Sequence, residues 1–140
     1  MRLGALGLLA LSALLAVSLA TASPTARSKT IASYCSPSGD VCYGILKRNG
    51  HISLEITTAA LYFKRYTLCV RRIRPAGTGA EFAQRCGPFP LFRQSGSTWG
   101  SRVNYQRNYP LKLPGVYRVT WKRGATQLGP ALRFRLPLAA

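Results

Sequence analysis

The sequence predicts an all-β domain in which short strands form two packed sheets. From Tyr34 onward, apolar and polar residues alternate with a period of two, and no stretch has convincing helical periodicity. Gly, Pro and Asn separate the alternating segments, which is typical of folds built from short strands. Apolar residues make up 47% of the chain, far more than a disordered basic segment contains. The chain is therefore expected to fold as one domain.

Residues 41–46 and 51–57 are the first two candidate strands. The apolar residues of the second strand share one face: Ile52, Leu54 and Ile56. Asn49-Gly50 lies between the two strands, and both residue types tolerate the positive φ angles of a tight hairpin turn. This segment therefore predicts an antiparallel hairpin.

Five further candidate strands follow along the chain. They are residues 66–73, a short strand within 82–92, and residues 99–105, 117–122 and 132–136. Pro88 and Pro90 favour a sheet edge or an irregular loop for the second of these, because proline cannot donate to a strand ladder. Trp99 and Trp121 are expected in the core, and only residues 58–64 have room for a short helical turn. The pattern predicts a single immunoglobulin-like β-sandwich of about seven strands, with a small β-barrel as the alternative.

The first residues have the pattern of a secretory signal peptide. Arg2 is the only charged residue before an apolar run over residues 3–19, and small residues precede a cleavage site after Ala22. A retained transmembrane or lipid anchor is the alternative, although the run falls slightly short of the ~20 apolar residues that a span needs. No other segment approaches that length. The expected organisation is a signal peptide over 1–22, a flexible leader over 23–33 and the β-sandwich over 34–140.

Four cysteines follow the predicted cleavage site: Cys35, Cys42, Cys69 and Cys86. An even number in an exported chain predicts two disulfides. Three pairings are open, and the tightest joins Cys35 to Cys42 and Cys69 to Cys86, because residues 36–40 are rich in turn-forming types. The spacings lack the short Cys-Cys intervals of zinc knuckles, so no structural zinc is expected.

Lysine and arginine greatly outnumber the acidic residues, with 20 against 3 and a formal net charge of +17. Three carboxylates and one histidine are few for acid–base or metal chemistry. His51, Ser53 and Glu55 alternate on one candidate strand, but same-face neighbours on a strand lie ~6.6 Å apart. A catalytic triad instead combines residues from different elements around a pocket. We therefore predict a protein that is not an enzyme and has no metal or cofactor.

Ten of the 20 basic residues fall into two groups, one around the segment between Cys69 and Cys86 and one on the last two candidate strands. The candidate anion-binding residues are Lys64, Arg65, Arg71, Arg72, Arg74, Arg85, Arg118, Lys122, Arg133 and Arg135. In the second group the cations project outward. If the last two strands pair, cations will face cations across the ladder, which is unfavourable without a counter-ion.

This surface predicts a secreted or envelope-associated binding module, expected to be a monomer, that associates with anionic envelope polymers or polysaccharides. Arg outnumbers Lys, which suits bidentate contacts with phosphate, sulfate or carboxylate groups. Specific nucleic-acid binding is not expected, because no reading motif is present. The alternatives are a secreted protein inhibitor or cationic antimicrobial factor, and a structural envelope protein whose basic surface has no specific ligand.

Residues 113–121, Leu-Pro-Gly-Val-Tyr-Arg-Val-Thr-Trp, resemble the closing strands of exported bacterial immunoglobulin-like domains. The CopC-type periplasmic copper-binding proteins share this ending. The resemblance implies the sandwich fold, and in CopC-type proteins it also implies copper held by His and Asp. The only histidine of this chain is His51 and no Asp follows Trp121, so the copper site is not carried over.

The whole span after the predicted cleavage site also resembles small exported actinobacterial proteins that have no assigned activity. The similarity is carried by residues 34–42, 66–70 and 128–134. A weaker similarity relates residues 99–107 to the Streptomyces subtilisin-inhibitor family. Those inhibitors tie their reactive loop with a cysteine near the C-terminus, whereas no cysteine follows Cys86 in this chain. These resemblances therefore imply export but no particular activity.

Overall fold

The computed structural model describes residues 27–140, which form an all-β sandwich. Its ten strands are β1 (Ser28–Cys35), β2 (Val41–Arg48), β3 (His51–Thr58), β4 (Arg65–Arg74), β5 (Arg85–Pro90), β6 (Phe92–Ser95), β7 (Thr98–Asn104), β8 (Gly115–Arg123), β9 (Thr126–Gln127) and β10 (Leu132–Leu136). A 3₁₀ turn (Ala80–Phe82) precedes β5, and a short helix, α1 (Tyr105–Asn108), follows β7. The predicted signal peptide and the first residues of the predicted leader lie outside the described residues.

The strands pair into two antiparallel sheets that are not closed into a barrel. The first sheet has the order β1-β2-β3-β7-β6, and the second has the order β10-β8-β4-β5 with β9 paired to β8. The predicted immunoglobulin-like sandwich is confirmed as an all-β fold of two sheets, and the barrel alternative is wrong. The sequence pattern missed three strands, which are β1, β6 and β9.

Strand β1 begins inside the segment predicted as a flexible leader, residues 23–33. Ser28 lies opposite Arg48 and Cys35 lies opposite Cys42, so β1 forms one edge of the first sheet. Most of its side chains are exposed, and its Ser, Thr and Ala residues give little apolar alternation. Pairing with β2 orders this segment instead. The leader prediction is therefore wrong from Ser28 onward.

The hairpin between β2 and β3 is confirmed. Arg48 and His51 are the last opposed pair, and Asn49 and Gly50 between them have φ angles of 48° and 80°. Two positive φ angles match the type I′ turn, whose twist suits antiparallel strands. Residues 58–64, which had room for a short helical turn, contain no helix, because β3 extends to Thr58 and a bend follows.

The core lies between the two sheets. The inward residues of β3 are at most 1% exposed, as their alternation predicts: Ile52, Leu54 and Ile56. Trp121 on β8 stacks on Tyr43 of β2 with ring centroids 4.5 Å apart, and Tyr66 on β4 donates a hydrogen bond to Ser101 Oγ on β7 at 3.0 Å. Both contacts connect one sheet with the other. Trp99, which was expected in the core, is half-buried and packs at its margin.

The two disulfides join Cys35 to Cys42 and Cys69 to Cys86, which is the tightest of the three possible pairings. In both cases the partners lie directly opposite each other in neighbouring strands, with Cα atoms 4.1 Å apart. One bond ties the edge strand β1 to β2, and the other ties the edge strand β5 to β4. Each sheet therefore has one covalently fixed edge.

Candidate anion-binding face

Strands β8 and β10 establish the outer face of the second sheet. The buried alternate residues of β8 are Tyr117, Val119 and Trp121. Because successive strand residues point to opposite faces, Arg118 and Lys122 project away from the core. On β10, Phe134 is buried while Arg133 and Arg135 on either side of it are exposed. The outward projection predicted for these four cations is confirmed.

The register of the second sheet aligns arginines from three strands. Arg118 on β8 lies directly opposite Arg71 on β4 and Arg133 on β10. A second row contains, in order across the sheet, Arg135, Val116 and Arg74. Neighbouring strands are about 4.8 Å apart, so each row spans about 10 Å. The predicted opposition of cations across the ladder is present at Arg118 and Arg133.

We name this surface the cationic face. Its members are seven of the candidate residues, namely Arg65, Arg71, Arg74, Arg118, Lys122, Arg133 and Arg135. Arg65 shares the outer side with Arg71, because an even separation along a strand keeps two residues on one face. Arg71 is held in place by a hydrogen bond from its Nε to the carbonyl oxygen of Phe82 at 3.1 Å. The outer surface thus gathers residues from both sequence groups.

Arg72 does not belong to the cationic face. It alternates with the inward-facing Val70 and is only 9% exposed. Its Nη2 donates to the carbonyl oxygen of Pro114 at 2.5 Å, and its guanidinium carbon lies 5.1 Å from the ring centroid of Phe82. Arg72 therefore stabilises the packing of β4, and its assignment as an anion-binding residue is corrected.

Two other candidate residues are exposed but stand outside the rows. Arg85 lies opposite Val70, whose side chain faces the core, so Arg85 projects from the inner side of edge strand β5. Lys64 precedes β4, where its carbonyl oxygen accepts a hydrogen bond from Leu91 N at 3.0 Å. Neither residue extends the aligned arginines.

The two sheets differ sharply in charge. The strands of the second sheet contain ten Lys or Arg and no Asp or Glu. The strands of the first sheet contain five Lys or Arg and one Glu. The excess of positive charge within these strands is therefore concentrated on the second sheet.

Glu55 is the centre of a polar cluster on the outer side of the first sheet. Its carboxylate accepts hydrogen bonds from Arg48 Nε at 2.6 Å and Ser53 Oγ at 2.7 Å, and its Oε1 lies 3.0 Å from Arg102 Nε. Partial burial alone would raise the pKa of Glu55, but the hydrogen bonds and the charge of Arg102 lower that pKa below its ordinary value. This carboxylate is therefore fully engaged with basic groups, and His51 makes no part of the cluster.

A polar basin lies within the cationic face. It has a volume of about 260 Å³ and is lined by Gln84, Arg118, Thr120, Lys122, Gln127 and Ala131. Two cations, two amides and a hydroxyl therefore share one depression without an acid. Arg118 and Lys122 were predicted from the sequence, whereas the neutral residues of the basin were not. The alternation of β8 places Thr120 between the two cations, but the positions of Gln84 and Gln127 depend on contacts distant in the chain.

Comparison with known proteins finds no family model, curated protein or solved structure that matches this chain. The part of the chain that the structure describes, residues 27–140, contains no apolar helix of membrane-spanning length. In the same part of the chain, no three side chains of His, Cys, Asp or Glu are grouped as a metal site requires.

Proposed function

We propose that this protein is a secreted, non-enzymatic binding module that holds anionic envelope polymers or polysaccharides on its cationic face. The observation that carries the proposal is the row of Arg71, Arg118 and Arg133 on three adjacent strands. No acid is present in any strand of that sheet, and neither ion pair of residues 27–140 involves these three cations. A polymer of anionic groups would supply the missing partners and release its own counter-ions on binding.

The dimensions of the cationic face favour an extended ligand over a single ion. Each row of cations is about 10 Å wide, and the stretch of β8 from Val116 to Lys122 is about 20 Å long. Arginine is abundant here, and its planar guanidinium forms bidentate contacts with phosphate, sulfate and carboxylate groups. A repeating anionic chain would therefore contact several arginines at once.

The proposal is tested by salt-dependent retention of the purified protein on heparin and on isolated anionic cell wall. The test variant combines Arg71→Gln, Arg118→Gln and Arg133→Gln. We expect this triple variant to elute at much lower salt, and the slope of log Kd against log salt concentration to fall by about two to three, because released counter-ions scale with the contacts made.

The matched control combines Lys29→Gln, Arg107→Gln and Lys112→Gln. These three residues are exposed and lie outside the second sheet, and their replacement changes the net charge by the same amount. For this control variant, we expect the slope of log Kd against log salt concentration to differ by less than about one from that of the unmodified protein. Equal losses in both triple variants would show attraction by net charge alone and refute the proposed face.

A leakage assay with anionic lipid vesicles separates this function from an antimicrobial one. A polymer-binding module is retained on cell wall but leaves the vesicles intact. Release of an entrapped dye at the same protein concentration would favour the antimicrobial alternative.

A further inference from the structure

We propose that the polar basin of the cationic face is a subsite for one charged sugar unit of an anionic glycan. A charged sugar unit is a ring that carries a sulfate, phosphate or carboxylate group beside free hydroxyls. This inference rests on the proposed function and deepens it, because it names the chemistry that one part of the surface selects.

The basin arises from the order of long and short side chains on the outer face. Thr120 lies opposite Cys69, and Ala131 immediately precedes β10, so short side chains form the floor. Arg118 and Lys122 each stand two residues from Thr120 along β8, which places them about 6.6 Å to either side. Two long cationic side chains therefore form opposite walls around a short floor.

The walls fit an oxyanion. Both ion pairs of residues 27–140 involve Glu55 on the other sheet, so the cations of the basin are not neutralised within this part of the chain. A sulfate, phosphate or carboxylate between Arg118 and Lys122 would receive charge-assisted hydrogen bonds from both sides. This feature accounts for the negative charge of the ligand but not for its remaining groups.

The amides of the basin point to hydroxyl groups on the same ligand. Gln127 donates its Nε2 hydrogen to the carbonyl oxygen of Gly129 at 2.6 Å, which directs its own carbonyl oxygen elsewhere as an acceptor. Gln84 donates its Nε2 hydrogen to Cys86 Sγ at 3.4 Å and likewise retains an acceptor oxygen. An acceptor oxygen cannot hydrogen-bond an ionised oxyanion, which has no hydrogen to donate, whereas it can accept a hydrogen bond from a sugar hydroxyl. The combination of cations and acceptors therefore favours a charged sugar over a polyanion without hydroxyls.

The test compares two probes of matched charge, a heparin-derived hexasaccharide and a linear inorganic polyphosphate. The variant combines Thr120→Val and Gln127→Met, which remove the hydroxyl and the amide without altering charge. We expect affinity for the hexasaccharide, measured by calorimetry at fixed salt, to fall about tenfold, since each lost hydrogen bond contributes modestly. Affinity for polyphosphate should change by less than about twofold, because electrostatics dominate that interaction.

The matched control combines Thr57→Val and Gln94→Met, both on the first sheet, and should leave both affinities unchanged. Equal losses for both probes, or no loss for either, would refute the sugar subsite. A loss larger for single-stranded DNA of matched charge than for the hexasaccharide would also refute it, in favour of nucleic acid. If this variant behaves as the unmodified protein while the triple arginine variant loses retention, the proposed function stands and only the subsite is wrong.

Discussion

The outer faces of the two sheets use basic residues in opposite ways. On the first sheet, Arg48 and Arg102 converge on Glu55, so the cations are part of a closed hydrogen-bonded cluster. On the second sheet, Arg71, Arg118 and Arg133 stand side by side with no carboxylate in any strand around them. The same sandwich therefore has one face with internal ion pairs and one face whose charges are available to a partner.

The difference shows that the net charge alone does not define a binding surface. Exposed ion pairs usually contribute less than about 1 kcal/mol, whereas aligned like charges oppose folding by comparable amounts. A single carboxylate on β3 thus converts two basic residues into structural ones. The absence of a similar residue from the strands of the second sheet leaves their arginines unneutralised.

The largest expected effects come from the disulfides, one of which serves each sheet. Replacing Cys69 and Cys86 by Ser should reduce the free energy of unfolding by about 3 kcal/mol, and replacing Cys35 and Cys42 by about 2.5 kcal/mol, because the longer loop restrains the unfolded chain more. Chemical denaturation measures both. Of the two disulfides, only Cys69–Cys86 lies next to Gln84 and the polar basin. Only its removal should therefore also weaken binding of the hexasaccharide by the folded protein. If removal of the Cys35–Cys42 bond also weakened hexasaccharide binding, the assignment of binding to the second sheet would be contradicted.

Glu55→Gln breaks the cluster on the first sheet. Arg48 and Arg102 would then lose their carboxylate, and we expect unfolding to become easier by about 1–2 kcal/mol, between the values for exposed and buried pairs. Urea denaturation of the variant measures this change. Glu81→Gln is the matched control, because it removes the same charge from an exposed residue of the 3₁₀ turn. Equal destabilisation by both substitutions would show that net charge, and not the cluster, is responsible.

Acidification tests the same cluster by protonating Glu55 instead of replacing it. The pKa of Glu55 is lowered in the fold, so its contribution is present above the unfolded pKa of about 4.3 and is lost as the pH falls through the lower folded value. The difference in unfolding free energy between the unmodified protein and Glu55→Gln should therefore be smaller at pH 3 than at pH 7. Urea titrations at both pH values measure it. An unchanged difference would exclude a depressed pKa.

Much of the fold follows from local patterns in the sequence. The alternation of Ile52, Leu54 and Ile56 predicts β3 and its buried face, and Asn49-Gly50 predicts the turn before it. Strand β1 escapes prediction because an edge strand of small polar residues needs only hydrogen bonds from its neighbour. Its order comes from pairing across the sheet, which leaves no signal in its own composition.

The direction of each side chain in the candidate site is predictable from its own strand, but the alignment of side chains on different strands is not. Alternation places Arg118 and Lys122 outward, and the same rule applied to β4 would have placed Arg72 inward beside Val70. The alignment of Arg71 with Arg118 depends on the register between strands distant in the sequence, which no local pattern contains. Gln84 reaches the basin for a similar reason, since the Cys69–Cys86 bond fixes the edge strand that follows it.

The smallest expected effect tests whether the alignment of Arg71, Arg118 and Arg133 destabilises the folded protein. Arg118→Gln removes the central charge of the row, and we expect the unliganded protein to become more stable by about 0.5 kcal/mol at low salt, because two like-charge contacts are relieved. At 1 M salt the Debye length is only about 3 Å, so the gain should disappear. Arg107→Gln on α1 is the control, and should change stability little at either salt concentration. A loss of stability in Arg118→Gln at low salt would show that the row is stabilised within the fold. That result would contradict the proposal that unneutralised charge on the second sheet attracts an anionic polymer.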